Sequence, residues 1–341
     1  MTSIEGLVAA AGGLLHKHDL VAHGATDRHL TAAVRSGRVR RPRRGWYSTW
    51  PPDDPRSVAV AVGGRLTGAS ALHVLGAWMW RRPPVVVALP RGASRLRRRR
   101  GVRVVWDAEQ ASTRGTTWSV DPRDALARMV DESSFEDAVA IATWTVREGL
   151  VPLEDLRDVL GARRADAAGL ADWVDPRCES FLEVVALVRL RRRGHRVELQ
   201  CPLPNGQRID LVVDGLVALE LDGRATHAST FVQDRTKDLR ILDSSRIPVR
   251  VPYALVADGA AWDSVCRTFD RVLADHGVPR SGTSAAVGNS SSWRVLGARG
   301  RRPWRLPAPR ARRGGVADGA GQARARAAGR ARGRGAGVAA G

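Results

Sequence analysis

Three acids stand where they could do chemistry. Asp210 is followed, after nine intervening residues, by the triplet Glu220-Leu221-Asp222. Ile209, Leu211 and Val213 alternate with Asp210 and Val212, while Val217, Leu219 and Leu221 alternate with Ala218, Glu220 and Asp222, the period of two that marks strands with one apolar face. Setting both apolar groups on one side requires an antiparallel register of 209 with 221, 211 with 219 and 213 with 217, because a slip of one residue turns every side chain over. That register seats Asp210 opposite Glu220 and leaves Asp214-Gly215-Leu216 as a three-residue connection with a glycine for positive φ. Opposed carboxylates repel unless they are protonated or neutralised, so the arrangement calls for a cation. Hard oxygens suit Mg²⁺ or Mn²⁺, which keep waters, bind phosphate oxygens and activate water against phosphorus. The chemistry expected is phosphodiester hydrolysis.

The surrounding elements must position these acids. Asp175-Pro176 reads as the start of a helix that runs to about residue 193 and stops at Gly194, with Leu182, Val185 and Val188 on its apolar face and Glu179 near its beginning. Strands are expected at 196–202, 207–213 and 217–222, divided by Pro204-Asn205-Gly206 and Asp214-Gly215. A helix at about 231–243 and a strand at 248–251 complete an αβββαβ order.

Asp210, the Glu220-Leu221-Asp222 triplet, and Glu179 on the preceding helix resemble the PD-(D/E)XK nuclease superfamily. More narrowly, ELDGRATH (220–227) and then FVQDRTKDLRIL (231–242) resemble the branch related to very-short-patch-repair endonucleases, in which an E-x-D-G…H segment precedes a D-R-x-x-D helix. The resemblance covers about 100 residues. It implies a restriction-endonuclease-like domain in which Asp210 and Glu220 ligate metal, the Leu221 carbonyl adds a further ligand, Glu179 is a helix-borne acid and His227 serves as acid or base. Asp222 stands where the superfamily carries its catalytic Lys, so His227, Lys237 or Arg235 would have to substitute, or the site is weakened. Asp234, Arg235 and Asp238 read equally as site residues and as i,i+4 charges on a solvated helix.

Toward the N-terminus the pattern predicts short helices at 4–11 and about 19–23, then Thr26 capping a helix at 27–36 that stops at Gly37. A hairpin comes next, rising at 38–41, turning at 42–45 and returning at 46–49. The segment VAHGATDRHLTAAVRSGRVRRPRRGWYS resembles the winged-helix domain of AbiEi-type antitoxins, and LTGASALHVLGAW together with the segment after it resembles that family's second domain. The resemblance implies DNA as partner and a toxin as second partner, with helix 27–36 in the major groove and the Arg-rich wing on the backbone. Arg28, Arg35, Arg40, Arg41, Arg43 and Arg44 are the expected nucleic-acid contacts, joined by Arg235 and Lys237 further on. Between the two ends, a helix at 66–78, strands at 85–89 and 102–106, and helices after Asp121-Pro122 and over 135–148 carry no chemical constellation, and Ala/Arg/Gly-rich residues 162–173 read as a linker.

The expected architecture is therefore an α/β multi-domain chain: a winged helix at 1–52, an α+β middle domain at 53–165, the nuclease-like domain at 175–278, and a disordered Arg-rich tail at 280–341. The formal charge of +20 needs discounting, since 53 of the 55 basic residues are Arg and only Lys17 and Lys237 are Lys, a skew typical of G+C-rich coding. Residues 280–341 hold 14 of these Arg against the single acid Asp318, leaving +7 on the first 279 residues. No apolar run reaches the length that spans a bilayer, which fits a cytoplasmic protein without a membrane partner. Cys178, Cys201 and Cys266 form no Cys-x-x-Cys pair and read as buried, reduced thiols. Two functions fit: a Mg²⁺-dependent endonuclease acting on DNA, with RNA as the alternative substrate, or an antitoxin-like DNA-binding regulator whose nuclease fold is a scaffold.

Overall fold

The structure, a computed structural model, describes residues 3–90, 93, 100–106, 114–223 and 231–278. His227 and the basic stretch after residue 278 lie outside the described residues. The described part is mixed α/β, with helices around three small sheets.

The first sheet belongs to the N-terminal elements: α1 (Ile4–Ala10), β1 (Leu14–His16), α2 (Lys17–Ala22), α3 (Asp27–Arg35), β2 (Arg40–Arg43) and β3 (Trp46–Ser48). All three helices form close to where the pattern predicts them, and Thr26 caps α3 by accepting from the His29 N–H at 3.3 Å. Sequence reading misses β1, which pairs with β3 to give the antiparallel order β1-β3-β2. The hairpin is also tighter than expected. Pro42 and Arg43 belong to β2, an edge strand where a missing N–H is tolerated, and the turn is Arg44-Gly45, with Gly45 at φ +85°. Val8, Leu20, Leu30, Ala33, Val39 and Tyr47 form the core beneath.

The middle of the chain runs through α4 (Pro55–Val62), β4 (Arg65–Leu66), α5 (Gly68–Leu75), β5 (Val85–Leu89), β6 (Val102–Trp106), α6 (Pro122–Met129), α7 (Phe135–Arg147) and α8 (Leu156–Gly161). The helix expected at 66–78 divides, because Leu66 pairs in β4 and Gly76, at φ +111°, ends α5. The expected linker at 162–173 is instead a 3₁₀ helix, Ala165–Trp173, with Ala167 and Leu170 buried. Its small side chains permit close packing, with Ala168 lying against Gly161 of α8.

The last third holds α9 (Phe181–Arg192), β7 (Val197–Pro202), β8 (Arg208–Val213), β9 (Val217–Asp222), α10 (Phe231–Asp243), β10 (Ile247–Pro252), α11 (Tyr253–Ala257) and α12 (Gly259–Asp275). The αβββαβ order is present, with two further helices after it. The sheet runs β10-β9-β8-β7, with β10 parallel to β9 and the other pairs antiparallel. Helix α9 starts later than Asp175-Pro176 predicts. Asp175 spends its carboxylate on the Arg177 N–H and guanidinium, its carbonyl accepts from Cys178, and the helix begins only where the Ser180 hydroxyl accepts from the Glu183 N–H. Trp262, Cys266, Phe269 and Leu273 bury the inner stripe of α12. His195 stands between that helix and the sheet, its Nδ1 2.7 Å from Asp214 in the β8–β9 connection and its Nε2 3.5 Å from Asp270.

Contacts cross from the middle elements into this last third. Arg189 of α9 makes a two-pronged pair with Glu136 of α7 at 2.7 and 2.9 Å, donates to the Val256 carbonyl at 2.7 Å and packs over the rings of Trp80 and Trp262.

Candidate active site

The predicted register holds where the ladder forms: Leu211 pairs with Leu219, Val212 with Ala218 and Val213 with Val217. Asp214 at φ +48° and Gly215 at φ +76° make the three-residue connection, in which the Leu216 N–H reaches the Val213 carbonyl at 3.1 Å. Beyond Leu211 the ladder stops, so the predicted 209–221 pair is not made. Instead the side chain of Asp210 enters the gap, and its Oδ2 accepts from the Leu221 N–H at 2.9 Å. The Asp210 N–H points to Glu220 Oε1 at 3.4 Å. Two strands that part company are thus held together by their own carboxylates.

The acid-bearing side of the sheet is covered rather than open to solvent. Val212 and Ala218 pack with Ile241 of α10, and all three are buried. Glu220 is only 5% exposed. Lys237, one helical turn before Ile241, places its Nζ on Glu220 Oε2 in a short ion pair. Lys237, expected either to stand in for the missing lysine or to contact nucleic acid, points inward to the acids. Burial pushes the Asp210 carboxyl above the ordinary carboxylate range, against the pull of the Leu221 N–H and of Lys237. Burial, and then the charge of Asp210, push Glu220 up as well.

The helix-borne acid is Glu183, not Glu179. Because α9 starts at Phe181, Glu179 lies ahead of it, exposed and paired with Arg208 at 2.8 Å. Glu183 sits at the third helical position, is buried, and accepts from the Glu179 N–H at 2.8 Å and from Gln200 Nε2 at 2.9 Å. Burial raises its proton affinity, and Asp210 adds to that. The Ser-x-x-Glu spacing from Ser180 to Glu183 is the sequence signal that could have found it. Gln200 reaches Glu183 from a strand interrupted by its own positive φ of 52°.

Asp222 pairs with Arg250 of β10 at 3.5 Å. Asp234 and Asp238 also turn onto Arg250, so they are not a solvated i,i+4 pair. Arg235 remains mostly exposed and pairs with Asp238 at 3.0 Å. Arg250, an isolated cation in the otherwise apolar run IPVRVP, was legible as an anomaly but not as a partner for these acids.

Among the described residues, no three of His, Cys, Asp and Glu are set to hold a metal ion. The donor chemistry nevertheless fits a hard divalent cation. Half-buried Asp210 and buried Glu220 offer carboxylate oxygens whose negative charge the fold disfavours, and a cation that keeps waters needs only one or two carboxylates from the protein.

At the other end of the chain, Arg28 and Arg35 lie exposed on α3 and, with Asp27, Thr31 and Ala32, line an open hollow. Arg40, Arg41 and Arg44 are exposed along the hairpin. Arg43 is not available in the same way. It is half-buried against the C-terminal end of α4, where a Cβ at Gly63 would meet its Nη1 at 1.5 Å. A guanidinium there opposes the negative end of the helix dipole.

No family model matches the chain, and no curated protein matches it. Among the described residues no helix is long and apolar enough to cross a membrane.

Proposed function

We propose that the chain is a divalent-metal-dependent endonuclease of the PD-(D/E)XK type, with DNA as substrate and the N-terminal helices and hairpin as a winged-helix element that holds the duplex. One observation carries this reading: Asp210, Glu220 and Lys237, brought from two strands and a helix, converge at the point where the β8–β9 ladder opens. Lys237 of α10 would take the place of the lysine absent at position 222. Asp210 and Glu220 would hold Mg²⁺ or Mn²⁺, with the Leu221 carbonyl as a further ligand. Such an ion, when bound, polarises a phosphoryl oxygen and lowers the pKa of water beside it. Lys237 sets its side-chain N–H donors next to the same carboxylates, placed to steady a phosphate oxygen. Glu183 holds Gln200 and the Glu179 backbone in place behind Asp210.

A plasmid-nicking assay on the full chain tests the reading. Nicking is expected in Mg²⁺ or Mn²⁺ from the wild type and not from Asp210→Asn or Glu220→Gln. Intact supercoiled plasmid with wild-type protein in both metals overturns it.

A second reading, an antitoxin-type DNA-binding regulator with a toxin partner, is favoured by the ammonium of Lys237 already neutralising Glu220. Tight, salt-sensitive DNA binding without cleavage is its expected signature.

A further inference from the structure

We propose that Arg250 is a positioning residue that sets the pitch of α10 so that Lys237 reaches Glu220, an inference that rests on reading Lys237 and the two acids as the reactive site. Arg250 stands directly across from Glu220 in the parallel β9–β10 register, with its side chain only 18% exposed. Its Nε donates to Asp238 Oδ1 at 3.0 Å and its Nη2 to the Asp234 carbonyl at 3.2 Å, while Nη1 lies 3.5 Å from both Asp222 and Asp234. One guanidinium thus grips a strand end and two successive turns of a helix.

The helix stripe explains why this matters. Asp234, Lys237, Asp238 and Ile241 have i, i+3, i+4, i+7 spacing and share the face turned to the sheet. Ile241, fully buried, anchors that face at one end. At the other end the stripe is polar, and Arg250 meets both of its acids. Without the guanidinium, Asp222, Asp234 and Asp238 lose the cation that all three share, and the Arg235–Asp238 pair, mostly exposed, is electrostatically weak. The leading turns of α10 would then lift, carrying Lys237 away from Glu220. Lysine is no substitute, since a single ammonium does not span three acceptors as a planar fork does.

The test exploits a feature of the whole chain: Lys17 and Lys237 are its only lysines. Their side chains are 41% and 15% exposed. The full-length protein is treated with an amine-acetylating reagent at one fixed pH, and the two sites are tracked by mass spectrometry, with Lys17 as the internal reference. In the wild type Lys237 should label about tenfold more slowly than Lys17, and Arg250→Gln should narrow the gap to about threefold while Lys17 is unchanged. Arg250→Lys should behave as Arg250→Gln. Asp234→Asn combined with Asp238→Asn releases the grip from the helix side with the arginine intact and should give the same result should Arg250→Gln not fold. Persistent protection of Lys237 in a folded variant overturns the proposal, as does a wild-type Lys237 that labels as fast as Lys17. In nicking assays, Arg250→Gln should lower kcat with KM unchanged and add nothing in a Lys237→Met background, whereas additive losses would mean that Arg250 does not act through Lys237. A wild type that fails to nick removes the nuclease reading alone, and the labelling ratio still decides whether Arg250 positions the lysine.

Discussion

The side chain of Asp210 takes up the backbone N–H of Leu221 at 2.9 Å, a bond that a main-chain carbonyl makes elsewhere in a sheet. One carboxylate therefore has a structural role and a chemical one, and substitutions separate them. Asp210→Asn keeps an oxygen for the Leu221 N–H and should abolish nicking with little loss of stability. Asp210→Ala leaves that N–H without its acceptor and should cost a further 1–2 kcal/mol or so in urea denaturation. Equal stabilities for the two variants would show that the bond carries no weight.

Glu183 and Glu220 are buried and Asp210 is half-buried, and the fold raises the proton affinity of all three. The native state then holds more protons than the unfolded state once the pH passes the ordinary carboxylate range, at about 4, and stability falls as pH rises from there toward neutrality. In chelator-treated protein, urea midpoints should decline across that interval. Glu183→Gln keeps an oxygen for its two donors and removes one charge beside Asp210, so it should flatten the decline and raise the urea midpoint at neutral pH. Added Mg²⁺ should reverse the decline in the wild type and fail to do so in Glu220→Gln.

The hairpin arginines divide into two kinds. Replacing Arg40, Arg41 and Arg44 together should reduce the slope of log K against log salt for duplex DNA by about 2–3 without changing the melting temperature. Arg43→Ala should do the reverse, leaving the slope in place and lowering the melting temperature, because Arg43 packs on α4. Filter binding and calorimetry on the same preparations distinguish the two effects.

Burial pushes the Cys266 thiol up to about 11 and that of Cys178 higher still. Both are fully buried. Neither should react with iodoacetamide at pH 8 until the protein unfolds, since the thiolate is the nucleophile. Rapid alkylation of native protein would show that the segments carrying them open readily.

Legibility tracked locality. The β8–β9 register could be read from alternation alone, since only one pairing buries Leu211, Leu219, Val213 and Val217 on a common face. Thr26 and Gly194 marked helix ends for the same local reason. Long-range partners left weaker traces. The sequence offers Lys237 beside His227 and Arg235 as a group that could join the acids, but which of them meets Glu220 depends on how α10 crosses the sheet. Arg250 does not announce that it holds Asp222, Asp234 and Asp238. Asp175-Pro176 carries a helix-start signal but forms a closed turn, and its bonds to Arg177 are the same set that Asp54 makes to Arg56, so the signal and its side-chain partner do not decide by themselves whether a helix follows. Asp54-Pro55 carries the same signal and does begin α4, with the Asp54 carboxylate accepting from the Arg56 N–H.

Arg189 and Glu136 come from opposite sides of a boundary that composition draws at residues 162–173. A fragment begun just past Trp173 would lose Glu136 and Trp80 together, leaving the Arg189 guanidinium in water and stripping the face of α9 that they cover. Scissors guided by the string of letters would therefore yield two crippled pieces, and heat should melt the intact polypeptide across this seam in one step.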